Sequence, residues 1–461
     1  MALDCVIRGG QIVTADAMYR ADIGISDGKV AVIEARIDAS AKREVDAHGL
    51  LVLPGGIDVH THFDTGVGGS ATADDYESGS RAAALGGITT FVNFAFQEHG
   101  HTLRSALDRE VAKAKDRAYI DFGLHLVITD LAAPASLDEI PALVRDGFPS
   151  IKLFTAVGEF QLSDADLLRV LAAAAEHRIL VNVHAEDGPL VDHLSARLLT
   201  QKRRGVENLP AARPPEAEAL ATARVAGYGS ALGCPIYFVH LSCRKALDAV
   251  RAARSEGAEV YVETRPAYLF MDESRYALPQ REGNKYVCWP PLRTVDDQKA
   301  LWAGLRLGEI QTYATDHTNW MAAQKMDPGH SFADIPGGVA NVQTSIGMLY
   351  AEGVKKGRIS LNQMVAVTAT NPAKLFGLWP DKGTIAVGSD ADIMLIDPEH
   401  SVTISSAGME SKSDFDPYDG YSTRGWPVMT ISRGEVIVEG GKLTAKGGRG
   451  RLVHRRRYQP L

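Results

Sequence analysis

Between residues 57 and 316 the chain alternates short apolar runs of strand character with longer stretches of helical period. Eight strand candidates stand out, at 57–62, 89–94, 122–129, 151–155, 179–184, 236–240, 258–263 and 310–316. Between them apolar residues recur at helical spacing over 103–117, 164–177, 216–232, 244–256 and 296–307. Strands alternating with helices build parallel β/α units. Eight such units over roughly 250 residues predict an α/β fold of the (β/α)8 TIM-barrel type. A doubly wound sheet is the competing architecture, but no glycine-rich phosphate loop follows the first strand. Two more helical stretches follow, at 339–353 and 360–376.

The flanks read differently. Residues 4–53 alternate apolar residues with Gly, Asp and Lys, and the same β pattern returns after residue 382. The simplest topology pairs the two flanks. Residues 1–53 plus 382–440 would form one small β-sandwich, with the barrel of residues 54–381 inserted between its halves. Residues 441–461 form a basic tail with Lys442, Lys446, Arg449, Arg451, Arg455, Arg456 and Arg457. Such a run is expected to be solvated, or to pack on another subunit.

Charge and cysteine usage exclude some classes of function. A formal net charge of −8 and a pI near 6.0 argue against a general nucleic-acid binder. The four cysteines, Cys5, Cys234, Cys243 and Cys288, form no CxxC pair. They are expected as reduced thiols in a cytoplasmic protein. The N-terminus shows no signal-peptide pattern, and no apolar run is long enough for a membrane helix.

The chemistry is concentrated at strand ends. In Asp58-Val59-His60-Thr61-His62 two histidines sit two apart on an apolar strand, so both imidazoles face one side. Neutral imidazoles converging on a point suit a borderline cation such as zinc. Lys152 lies on the fourth strand, His184 on the fifth, His240 on the sixth and Asp316 on the eighth. Singly, each has an ordinary explanation: a satisfied core histidine, a snorkelling lysine, an aspartate capping a helix. Together they fall at the carboxyl ends of barrel strands, where barrel active sites are built. Lys152, within Ser150-Ile151-Lys152-Leu153-Phe154, is the informative member. A buried ammonium is costly, and a neutral amine there can capture carbon dioxide as a carbamate, a bidentate anion able to bridge two cations.

These residues carry a resemblance. Gly55-Gly56-Ile57-Asp58-Val59-His60-Thr61-His62, Ala73-Asp74-Asp75-Tyr76, Ser150-Ile151-Lys152, His184-Ala185-Glu186, Val239-His240-Leu241, Pro290-Pro291-Leu292-Arg293 and Asp316-His317 resemble the amidohydrolase superfamily, and within it the dihydropyrimidinase/hydantoinase family. The resemblance runs nearly end to end. It implies a dinuclear metal enzyme, usually zinc, that opens a small cyclic amide and assembles as a homotetramer or homodimer. His60, His62 and Asp316 would hold one ion, and His184 and His240 the other, with Lys152 as N6-carboxylysine between them. A bridging hydroxide would attack the amide carbonyl, with Asp316 as general base and then acid.

Several positions near the expected substrate depart from that family. The tyrosine whose hydroxyl stabilises the oxyanion is Val157 here, which has no donor. The serine before the two prolines is Trp289, next to Cys288, and the asparagine after Ile335-Pro336 is Gly337. Arg265 stands where the family carries a small residue. It could form a structural ion pair with a neighbouring acid or clamp a substrate carboxylate. Val157, Arg265, Cys288, Trp289 and Gly337 are thus the expected substrate-side residues, and a plain dihydropyrimidine is not the expected substrate. Allantoinase or imide hydrolase chemistry would use the same metals. A non-enzymatic scaffold of the dihydropyrimidinase type is the alternative of another class; such scaffolds typically lack metal ligands that this chain retains.

Overall fold

The structure is a computed structural model describing residues 3–67, 70–132 and 136–461. Eight parallel strands form its central sheet. In chain order they are β1 (Gly56–Thr61), β2 (Ile88–Phe96), β3 (Asp121–Val127), β4 (Ser150–Phe154), β5 (Leu180–His184), β6 (Ile236–Phe238), β7 (Val260–Thr264) and β8 (Thr312–Tyr313). Each pairs with its sequence neighbour, from Phe91 opposite Asp58 to Thr264 opposite Tyr313. The circle closes where the chain leaving β8 meets β1: Thr61 bridges His317, and the His62 amide donates to the His317 carbonyl at 2.9 Å. The expected barrel is therefore observed.

Strands β4 and β5 are buried along their whole length, Lys152, Asn182 and His184 included. The five expected helices form almost where the periodicity places them, at Leu103–Ala114, Asp164–His177, Pro215–Leu232, Arg244–Ser255 and Val295–Arg306. Their ends are set by local chemistry. Ser163 accepts from the Asp166 amide, and Thr294 shares a reciprocal capping box with Asp297. A helix at Tyr76–Leu85 has too many Gly and Ser residues to show a clear period, yet Asp75 caps it and Ser78 reciprocates. The last two helical stretches contain π-helical turns at Leu349–Val354 and Ala366–Thr370, which break them into pieces.

Both chain flanks contribute to the remaining β structure. A four-stranded sheet runs in the order Lys29–Glu34, Asp22–Ser26, Leu3–Arg8, Ala41–Asp46. A seven-stranded sheet joins Leu51–Pro54 from the first flank to Ile393–Thr403 from the second, in antiparallel register. Ile7, Ile25, Val52, Ile393, Leu395 and Ile431 fill a core common to both sheets. Lys382 fastens this unit to the barrel floor. It is buried with Nζ 2.9 Å from Asp121 at the start of β3, 3.1 Å from Asp390 and 2.6 Å from Asp392.

The basic tail is docked on the barrel, while Lys442, Lys446, Arg451, Arg456 and Arg457 stay exposed as a basic run is expected to. It runs beneath the barrel as an added extended segment, with the Phe122 amide donating to Arg451 and the Val453 amide to Phe122. Arg455 is buried, and its Nη2 donates to the Leu124 carbonyl and to Ser150 Oγ. Val453 and Tyr458 between the charges supply the apolar contact that holds the segment down.

Candidate metal centre and substrate pocket

The six chemistry-bearing residues meet at one mouth of the barrel. His60 and His62 project from the end of β1, separated by one residue as the strand period requires. Their Nε2 atoms lie 3.1 and 3.2 Å from Asp316 Oδ1. Asp316 and His240 lie just beyond β8 and β6, which end earlier than their sequences suggest. Both residues turn out of the sheet with left-handed backbones, φ +46° and +40°. No helix starts at Asp316, so its carboxylate is not a cap. Donor atoms of His60, His240 and Asp316 all lie within 4.8 Å of one another. His184, ending β5, places Nδ1 3.1 Å from His240 Nε2.

These donors fit divalent cations. His240 Nδ1 is buried without a hydrogen-bond partner, a state that costs free energy unless something else meets the lone pair. Burial pushes the His240 and His184 imidazoles below their ordinary range, and His62 down to about 4, so all three are neutral and able to ligate at physiological pH. Burial would lower His60 too, but the Glu263 and Asp316 carboxylates hold it above its usual value. Burial also pulls Lys152 down to about 7. Its Nζ lies over the rings of Phe154 and Phe94, 4.9 and 5.3 Å from their centroids.

A supporting shell fixes the ligands, and most of it escapes a reading of the sequence. Glu263 on β7 accepts from His60 Nδ1 at 2.7 Å and from the His240 amide at 2.8 Å. A lone acid in the apolar run Val260–Thr264 is as informative as Lys152 on β4, and could have been found the same way. Glu186 holds His184 Nε2 at 2.8 Å and is itself gripped by Arg213. Asp74 accepts a hydrogen bond from His317 Nε2 at 3.0 Å, while the amides of Asn341 and Val342 donate to His317 Nδ1. That locks the ring one residue past Asp316 in a single tautomer.

The pocket above the six residues is small, about 80 Å³. Phe96, Phe154, Val157, Phe160, Trp289, Thr318, Gly337 and Gly338 complete its lining. Val157, Trp289 and Gly337 thus stand where the sequence predicts. Arg265 and Cys288 do not line this pocket. Arg265 is fully buried, its Nη1 on Asp316 Oδ2 and its guanidinium stacked 4.4 Å from the Tyr268 ring. It is the structural ion pair foreseen as one of its two readings, and the acid it pairs with is Asp316 itself. The Cys288 thiol is enclosed in the core, because Trp289 and not Cys288 turns toward the mouth.

The amidohydrolase family profile matches residues 51–437, which spans the barrel and every residue of this cluster. The chain belongs to the amidohydrolase family. Within it, this amidohydrolase is similar to the D-hydantoinase of Geobacillus stearothermophilus, 41% identical over 99% of this chain and 97% of that one. It is similar also to a D-phenylhydantoinase of Escherichia coli, at 38% identity over 99% of both chains. Among solved structures, the dihydropyrimidinase of Brevibacillus agri superposes with a TM-score of 0.96 at 39% identity, covering 98% of this chain and 99% of that one. The L-hydantoinase of Arthrobacter aurescens superposes with a TM-score of 0.91 at 30% identity, covering 98% of this amidohydrolase and all of that chain. Among the described residues of this amidohydrolase, no helix is long and apolar enough to cross a membrane.

Proposed function

We propose that this amidohydrolase opens the ring of a cyclic amide of the hydantoin or dihydropyrimidine type. The carrying observation is the convergence of His60, His62, Lys152, His184, His240 and Asp316 on one buried pocket. His60, His62 and Asp316 would hold one ion, and His184 and His240 a second, with carboxylated Lys152 completing both sites. Zinc suits this set of nitrogen and oxygen donors. Divalent ions held there supply Lewis acidity, bringing a water into the neutral titration range and polarising the amide carbonyl.

The chain's own residues do the rest. Asp316 accepts the proton of the attacking water and returns it to the leaving ring nitrogen. The Arg265 guanidinium on its Oδ2 holds the carboxylate in one orientation. Phe96, Phe154, Phe160 and Trp289 keep bulk water from the pocket. The C–N bond of the ring breaks, a carboxylate forms, and a cyclic ureide leaves as an N-carbamoyl amino acid. Val157 offers no hydroxyl to the oxyanion, which favours a substrate other than plain dihydrouracil.

All four cysteines are free and buried, which suits a cytoplasmic site of action, and likeness to the hydantoinases supports a homotetramer or homodimer. The test is metal content per chain together with turnover of hydantoins, dihydrouracil, allantoin and cyclic imides by purified protein. Two ions per chain with ring opening of one class supports the reading. Protein that takes up no metal from zinc-replete buffer, or efficient opening of dihydrouracil alone, overturns it in whole or in its substrate preference.

A further inference from the structure

A separate cleft of about 430 Å³ opens between the short helix Pro266–Phe270, the π-helical turn Leu349–Val354 and residues 417–421. It shares no lining residue with the metal pocket. Its volume is that of a small-molecule site, and π-helical turns recur at functional positions.

Three cations and two carboxylates border this cleft. Both carboxylates are already engaged. Glu352 is buried and accepts from the Tyr421 hydroxyl and from Lys356 Nζ, with Arg358 Nη1 3.6 Å away. Asp419 accepts from the amides of Ser406 and Asp416 at 2.6 and 3.2 Å. Arg275 is left over. It is half-buried, its guanidinium is stacked 5.2 Å from the Tyr286 ring, and no carboxylate pairs with it among the described residues. Stacking holds a guanidinium in place and leaves its in-plane fork of N–H groups free.

The rest of the lining is largely aromatic. Phe270 and Tyr418 meet edge to face at 6.1 Å. The Tyr418 hydroxyl donates to Asn341 Oδ1 at 2.8 Å, so its polar end is satisfied within the core.

We propose that this cleft binds a small organic carboxylate with a flat body. The carboxylate sits on the Arg275 fork, and the body lies against Phe270, Tyr286 and Tyr418. Cations outnumber carboxylates by one, which suits a monoanion. Glu352 and Asp419 would repel the second charge of a phosphate dianion. The proposal goes beyond the ring-opening reading and does not depend on it. A carboxylate of this kind has two sources, the N-carbamoyl acid that ring opening would release and an unrelated aryl acid.

The test is calorimetry on full-length, metal-loaded protein, with phenylacetate, its uncharged isostere phenylacetamide, and N-carbamoyl-D-phenylglycine. A carboxylate probe is expected to bind with a Kd of about 1 mM or tighter. Arg275→Met should weaken that binding about tenfold or more, and Arg275→Lys should weaken it less, since it keeps the charge and loses the fork. Arg275 carries no ion pair, so the thermal midpoint of Arg275→Met should match the natural protein; if that variant does not fold, Arg275→Lys decides. Lys299→Met, an exposed cation that does not border the cleft, should leave binding within about twofold. Binding that survives in Arg275→Met belongs to the metal pocket. Tighter Arg275-dependent binding of the N-carbamoyl acid identifies the protein's own product as the source, and tighter binding of phenylacetate an unrelated aryl acid. The proposal is overturned by no binding of either carboxylate, by equal binding in Arg275→Met, or by phenylacetamide binding as tightly as phenylacetate.

Discussion

The guanidinium of Arg265 rests on Oδ2 of Asp316, and both side chains are buried. The pair makes Asp316 a structural anion as well as a candidate ligand. Asp316→Asn should therefore destabilise metal-free protein by about 3 kcal/mol or more, because it strands a buried cation. His62→Asn removes a ligand without orphaning a charge and should cost about 1 kcal/mol. Urea unfolding of the two metal-free variants separates them, and equal losses would show that Arg265 has another counter-ion.

Lys152 makes a pH prediction. Burial lowers it to about 7, against about 10.4 in an unfolded chain. Between those values the unfolded chain holds the extra proton, so the stability of metal-free protein rises with pH from about 7 toward about 10. Lys152→Met should abolish the rise. The same neutral amine should take up carbon dioxide faster above about pH 7, read as N6-carboxylysine in the intact mass after incubation in bicarbonate.

Trp289 and Gly337 are a matched pair. A Cβ at residue 337 would lie 2.8 Å from Trp289 Cδ2 and 3.1 Å from Cε2. Gly337→Ala should cost about 1–3 kcal/mol in the natural background and almost nothing beside Trp289→Ser. A double-mutant cycle on denaturant midpoints measures the coupling. Additive effects would mean that the ring moves aside freely.

Lys382 is shared by Asp121, Asp390 and Asp392, with Lys29 also on Asp390 and Arg433 beside Asp121. Lys382→Met removes the only side-chain cation paired with the buried Asp392 among the described residues and should cost about 3–5 kcal/mol near neutral pH. Burial already holds the Asp392 carboxyl above its ordinary range, and loss of the ammonium raises it further. Groups raised in this way support the fold below the unfolded value and withdraw that support as pH climbs through the folded one. The variant should thus fall further behind the natural protein between about pH 5 and pH 8. A gap that stayed constant across that range would argue against charge as the cause.

The barrel and its candidate ligands were legible because both follow from short periods. His60 and His62 share a face by strand geometry, and Lys152 stands out because an ammonium has no ordinary place on an apolar strand. Glu263 was legible by the same rule and passed over. Arg265 was not, since the choice between a substrate clamp and an ion pair depends on where β7 and β8 place Arg265 and Asp316, 51 residues apart. The tail was misleading because seven cations outweigh Val453 and Tyr458 in any local count. Its docking depends on backbone donors and acceptors of β3 that no tail sequence reveals.

That tail laces the floor from below. Arg455 reaches a carbonyl on β3 and a hydroxyl on β4, some three hundred residues away in the chain. A single buried guanidinium thus ties two neighbouring strands at the end opposite the candidate ligands, so a change at Arg455 would be felt beneath the barrel and not at its ligand-bearing mouth.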